Sequence, residues 1–431
     1  MAGNAPVEQK TSDKKVPPGE ASPVIGQLEV ERLKKEAEAK AKAEEAANAR
    51  AAATKIKVGL LLPLTGTGSA VGPAMLDAAT LALFELADDR FELLPRDTKG
   101  TAEGAAAAAE DVLREGAQMI IGPLLSASVS AVAPLAQAQQ VPVVGFSSDR
   151  EAAAAGIYLL SFTPHQEIDR IVAYARAQGL LTFGALLPDS AYGRAVERGL
   201  LQAADRHGGE LIQVEFYPAN GEDVEAAVKR IAQIETRKIA LYKRRQELKE
   251  AGTASAKREL RRIANLQAMG DLNIDAIVLA EGGLQLTRIA PFLQYYDIDL
   301  NKVKLLGTGL WYDDALLREP ALLNAWFAAP DPQGFSAFST QYQSMYGAVP
   351  PRIATLAYDA AALAAVLAQQ ESPEKFSYEI LELSGGFDGK DGVFRFLEDG
   401  NADRSLAVLE ITKAGFAIRD PAPREFIDQS Y

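Results

Sequence analysis

From Lys55 onward the chain alternates between short, almost wholly apolar runs and longer segments with apolar residues at helical spacing. The runs at 56–63 (IKVGLLLP), 91–96, 118–121, 141–145, 183–187, 211–216, 275–280 and 303–307 predict buried β-strands. Between them, 73–87, 101–115, 127–139, 167–178 and 192–206 carry helical patterns. Such alternation predicts an α/β fold of parallel sheets covered by helices on both faces. In open parallel sheets, ligands bind beyond the carboxyl ends of the strands, so function is expected in the strand-to-helix loops. Before Lys55 the pattern is different. Residues 1–25 combine Pro, Gly, Ser and charge, which predicts disorder, and Gln27 to Ala53 is an Ala/Glu/Lys-rich segment that suits a solvated spacer helix.

Composition narrows the chemistry. The 431 residues are 48% hydrophobic and 24% charged, enough for a sizeable soluble core. A net charge of -13 argues against a dedicated nucleic-acid binder. The chain has no cysteine and two histidines, His165 and His207, which excludes thiolate sites and a three-histidine zinc site. No cofactor is expected. The longest uncharged stretch, Gly116 to Ser148, contains Pro123, Pro134 and Pro142 and reads as strand, helix and strand instead of a membrane span. The N-terminus lacks the apolar core of a signal peptide.

Four loops carry candidate chemistry. The first, Leu64 to Gly72, includes Thr65 and Gly66 in a glycine-rich bend whose spacing departs from the dinucleotide fingerprint and suits close passage around a small ligand or a helix start. The second places Ser126 at a helix start, where it is read as an N-cap beside unpaired amides able to receive a carboxylate. The third ends a strand with Ser147 and Ser148; its G-F-S-S-D is not the G-x-S-x-G nucleophile elbow. The fourth, PDSAYGR, puts Tyr192 at a helix start, offering a flat face and a hydroxyl.

The run VGLLLPLTGTGSAVG, the segment from RDTKGTAEG through GAQMIIGPLLSASVS to VPVVGFSSD, and then PDSAYGRAVERGL and ATLAYDAAALAAVL resemble the type I periplasmic binding proteins, the leucine/isoleucine/valine-binding-protein-like family of ABC importers. The resemblance implies two lobes joined by three crossovers, near 160–163, 308–312 and 382–388, closing on a ligand held between them. It implies lobe 1 at 55–162 and 310–383 and lobe 2 at 163–309 and 384–431, preceded by a tail at 1–54. It implies ligand-facing positions at Ser126, Ala127, Ser147, Ser148 and Tyr192. Gly309 stands where amino-acid binders carry an acid, and Glu281 is the candidate to supply that charge from another loop. The stretch GTGLWYDDALLREPALLNAWFAAPDP, with the insertion described next, resembles bacterial penicillin-binding protein activators more closely. That resemblance implies a periplasmic, outer-membrane-associated regulator of peptidoglycan synthases.

Lobe 2 carries a helical insertion at 222–269. Residues 229–262 hold twelve bases and four acids, a net +8 that leaves -21 on the rest of the chain. Gly252-Thr253-Ala254-Ser255 separates two helical runs, predicting an antiparallel pair. Such a positive arm is either a solvated protrusion or a contact surface, with Arg244, Arg245, Arg261 and Arg262 as candidate contacts for an acidic partner, lipid headgroups or anionic glycan; Tyr242 is the lone aromatic there, which disfavours nucleic acid. The expected function is therefore a non-enzymatic regulator that binds a penicillin-binding protein. The alternative is a substrate-binding protein that delivers an amino acid or similar small polar solute to an ABC permease. No nucleophile, base and orienting group can be assembled from the motifs, so catalysis is not expected.

Overall fold

The structure is a computed structural model that describes residues 34, 40 and 55–426. Lys34 and Lys40 are helical; the rest of the tail and spacer expected over residues 1–54 lies outside the described residues. The expected strand-helix alternation is what forms. The first sheet has order β2-β1-β3-β4-β5, built from β1 (Ile56–Leu62), β2 (Phe91–Asp97), β3 (Met119–Ile121), β4 (Val143–Gly145) and β5 (Ile157–Leu159), all parallel. On one face lie α1 (Gly72–Leu86), α10 (Pro332–Tyr346) and α11 (Ala354–Ala368), and on the other α2 (Ala102–Arg114) and α3 (Ser126–Ala138). Alternate β1 residues supply the two cores: Val58, Leu60 and Leu62 face α1 and α11, whereas Leu61 faces α2 and α3.

The second sheet is mixed, in order β15-β14-β10-β9-β8-β6-β7. Its parallel part comprises β6 (Thr182–Asp189), β7 (Glu210–Pro218), β8 (Ala276–Leu279), β9 (Lys304–Gly307) and β10 (Trp326–Ala329); β14 (Ala407–Thr412) and β15 (Gly415–Asp420) add an antiparallel edge. Helices α4 (Pro164–Ala177) and α5 (Ala191–Arg206) cover one face; α6 (Val224–Ile231) and α9 (Gly283–Tyr295) cover the other. A small antiparallel sheet of β11 (Phe387–Gly389), β12 (Gly392–Phe396) and β13 (Ala402–Arg404) completes lobe 1.

Two of the expected lobe boundaries move. The chain passes from lobe 1 to lobe 2 between Leu159 and Pro164. It returns near Pro330 and not at 308–312, because β10 pairs with β9 and β14 in the second sheet. The last crossing falls at Ser405 and Leu406 and not at 382–388, because Phe394 and Phe396 of β12 belong to the lobe 1 core, where Phe396 packs 4.8 Å from the Tyr158 ring. Lobe 2 therefore comprises 164–329 and 407–426 of the described residues. The inserted hairpin is also shorter than 222–269. Ala227, Val228 and Ile231 of α6 pack in the lobe 2 core, and the separate unit is α7 (Ile234–Ala251) with α8 (Ala254–Arg262), which has its own small core of Leu241, Leu248, Ala256 and Ile263.

Candidate functional site

Thr65, Gly66, Ser126, Ala127, Ser147 and Ser148 all follow carboxyl ends of first-sheet strands, so they share one rim. Asp97, at the end of β2, organises that rim. Its carboxylate accepts the Leu64, Thr65 and Lys99 amides at 3.0, 3.1 and 2.8 Å and the Thr65 hydroxyl at 2.6 Å. Burial pushes the Asp97 carboxyl up, and these hydrogen bonds outweigh it, so its pKa lies below the ordinary range. Gly66 has φ 71°, and a Cβ there would stand 2.1 Å from the Lys99 carbonyl oxygen, so the bend excludes side chains. Ser126 is the first residue of α3, not its cap. Leu125 occupies the capping position without a side-chain bond, which leaves the Ser126 hydroxyl unpartnered among the described residues. Ala127 and Ser148 are exposed. Ser147 turns inward, buried, with its hydroxyl accepting the Asp149 amide at 3.1 Å.

The opposing rim ends the strands of lobe 2. The Tyr192 hydroxyl lies 2.7 Å from that of Thr308, and burial, then the nearby Glu167 carboxyl, push its pKa well up. Glu281 is held by its own lobe: its carboxylate accepts the Tyr217 hydroxyl at 2.7 Å, and its carbonyl accepts the Trp311 indole N–H at 2.9 Å.

Between the lobes opens a cavity of about 950 Å³. Lobe 2 contributes Glu167, Tyr192 and Tyr312; α10 and the segment before α11 contribute Phe335, Ser339 and Arg352. Of the eight residues expected to face a ligand, Tyr192 alone lines it. Sequence reasoning missed Glu167 and Arg352. Glu167 sits in the first turn of α4, buried, with the Gly309 amide as its backbone donor and no cation paired with it among the described residues. Burial pushes its carboxyl up to about 7. A Cβ at Gly309 would stand 2.5 Å from Glu167 Oε1, so the glycine found in place of an acid makes room for an acid arriving from another element. The pairing of Gly309 with the Thr163-Pro164-His165-Gln166-Glu167 helix start has no sequence signature; a first-turn glutamate reads as ordinary helix chemistry. Arg352 stacks 4.4 Å from the Phe335 centroid and pairs with buried Asp391 at 2.6 Å. Among the described residues no group of His, Cys, Asp and Glu could hold a metal ion.

Two lobes, each a helix-covered and mainly parallel sheet, joined by three crossings around a cavity, define the fold of the type I periplasmic binding proteins. Residues 55–236 match the family model described as periplasmic binding protein. Similar solved structures include an ABC transporter substrate-binding protein from Sphaerobacter thermophilus, 19% identical with TM-score 0.63, covering 88% of this chain and 100% of that one. The branched-chain amino acid transporter substrate-binding protein LivJ from Streptococcus pneumoniae, in complex with isoleucine, is 17% identical with TM-score 0.54, covering 86% and 100%. A solute-binding protein of an ABC transporter from Rhodopseudomonas palustris, in complex with 3,4-dihydroxybenzoic acid, is 17% identical with TM-score 0.54, covering 86% and 97%. An uncharacterized protein of Rickettsia prowazekii, RP748, is 23% identical over 172 residues, 40% of this chain and 46% of that relative, so the match spans less than half of its length. These matches show the shared fold and lend no support to a regulator of peptidoglycan synthases.

Proposed function

We propose that this chain is an extracytoplasmic solute-binding protein that captures a small carboxylate-bearing solute between its lobes and presents it to an ABC permease, without catalysing a reaction. The observation that carries this reading is the interlobe cavity, walled by both lobes, whose lining includes the Glu167 carboxyl, able to accept from an ammonium or hydroxyl of the solute, with the Tyr192 phenol and Arg352. Ser126 and the first amides of α3 supply donors on the facing rim, where a carboxylate needs no basic side chain. The matched proteins from S. pneumoniae and R. palustris hold isoleucine and 3,4-dihydroxybenzoic acid, both small carboxylates, which favours the same class here. Closure by rotation about the three crossings would bring the rims together, as in other two-lobed binders. Nothing in this reading requires a membrane span, and no described helix is long and apolar enough to be one.

Thermal-shift screening against amino acids and benzoates, followed by calorimetry on Tyr192→Ala and Ser126→Ala, tests the proposal. A saturable shift with one class, weakened at least ~10-fold by Tyr192→Ala, is the expected result. The absence of any saturable shift, or a shift indifferent to both substitutions, would overturn it.

A further inference from the structure

The hairpin of α7 and α8 does more with its charge than its composition reveals, because the structure divides its cations into two groups. Arg237, Arg244 and Arg245 are consumed internally. Arg237 is buried at the base, donating to the carbonyls of Ala232, Gly270, Tyr296 and Asp297 at 3.1, 3.0, 3.2 and 2.5 Å. Arg244 grips the Glu259 carboxylate with Nε and Nη2, both at 3.0 Å, and Arg245 donates to the carbonyls of Ile263, Ala264 and Leu266. Arg244 and Arg245, expected from the sequence as partner contacts, are therefore engaged within the hairpin and its base. Gly252, at φ 60°, ends α7, and the Thr253 hydroxyl accepts the Ala256 amide at 3.1 Å to start α8. The result is a stiff antiparallel unit mounted on lobe 2.

The second group is different. Lys243, Lys249, Lys257, Arg258, Arg261 and Arg262 are exposed and have no acidic partner among the described residues. Lys238, Tyr242 and Lys249 share one face of α7 by helical spacing, and Lys257 and Arg261 share one face of α8. Among these cations sit two apolar side chains on α7, Ile239 at 57% and Tyr242 at 64% exposure. Long, unfixed cations around a bare aliphatic and a phenol do not form a pocket for one anion. They suit a broad field of anions with an apolar layer beneath it. The α7–α8 hairpin itself carries ten bases and four acids, and the remainder of the chain, at -19, is repelled by such a field, so the hairpin alone would face it.

We propose that the α7–α8 hairpin docks this protein on an anionic phospholipid surface, with its unpaired Lys and Arg at the phosphates and Ile239 and Tyr242 in the headgroup layer. This inference is independent of the solute-binding reading. The full chain is floated with vesicles of phosphatidylcholine alone and of phosphatidylcholine mixed with phosphatidylglycerol. Binding to the mixed vesicles only, lost at high salt, is the expected result. The double substitution Lys257→Gln, Arg261→Gln should weaken it roughly 30-fold with melting unchanged, and Tyr242→Ser a few-fold. Equal binding to both vesicle types, no binding, or full binding by the double variant would overturn the proposal. So would capture of an acidic protein by these residues in the absence of vesicle binding.

Discussion

Two sets of acids are sealed from solvent along the seam between the lobes, in opposite company. Asp359 and Asp391 lie among cations: Asp391 pairs with Arg352 and accepts the Thr355 hydroxyl, and Asp359 faces Arg404 at 3.5 Å, both side chains 1% exposed. Phe162 of the first crossing lies under both arginines, 5.6 Å from Arg352 and 5.1 Å from Arg404. Burial pushes Asp359 up against the pull of Arg404. Glu167, also at the seam, has the Gly309 amide and no cation among the described residues. The balanced set joins strand and helix around the crossings, which is a structural task. The unbalanced acid borders the cavity, where an unmet charge can be met by something that arrives.

Removing a cation from the balanced set gives the sharpest test of this contrast. Arg404→Met leaves two buried acids with one arginine and should cost about 3–5 kcal/mol in urea unfolding. A loss below about 1 kcal/mol would place the cluster outside the framework. The lone acid should behave in the reverse sense. Its folded pKa of about 7 stands above the ordinary 4.5, so between these pH values the unfolded chain releases a proton that the folded chain keeps. Stability should therefore fall as pH rises through this window, by about 3 kcal/mol for this group. Glu167→Gln should match the parent at pH 4 and exceed it at pH 8, and parallel pH profiles for the two proteins would refute the assignment. The smallest effect is expected at Tyr192→Phe, which loses one hydrogen bond to Thr308, about 1 kcal/mol in stability, and whose solute affinity should drop as well.

Much of the scaffold was legible because long apolar runs bounded by turn residues have few alternatives. IKVGLLL became β1 and the Thr101 to Glu115 pattern became α2 with Thr101 as its cap. Short elements were not legible. Trp326–Ala329 is four residues inside a mixed segment, and only its pairing with β9 and β14 assigns it to lobe 2. The site was legible in part, since Tyr192 follows a strong strand and lies in the first turn of a helix that Ser190 caps. Glu167 and Arg352 were hidden because burial depends on what packs over them from distant parts of the chain. The hairpin shows the same limit: a run of bases reveals charge, whereas which arginines are internally engaged depends on carbonyls up to 60 residues away.

The Asp97 carboxylate, with four donors from three neighbouring residues, has a kinetic consequence. A loop already frozen in one shape loses little freedom when a guest arrives, so the entropic penalty of association is met during folding. Under the proposed solute-binding function, loosening the loop with Asp97→Ala adds an ordering cost to association and should weaken solute binding, chiefly through faster release.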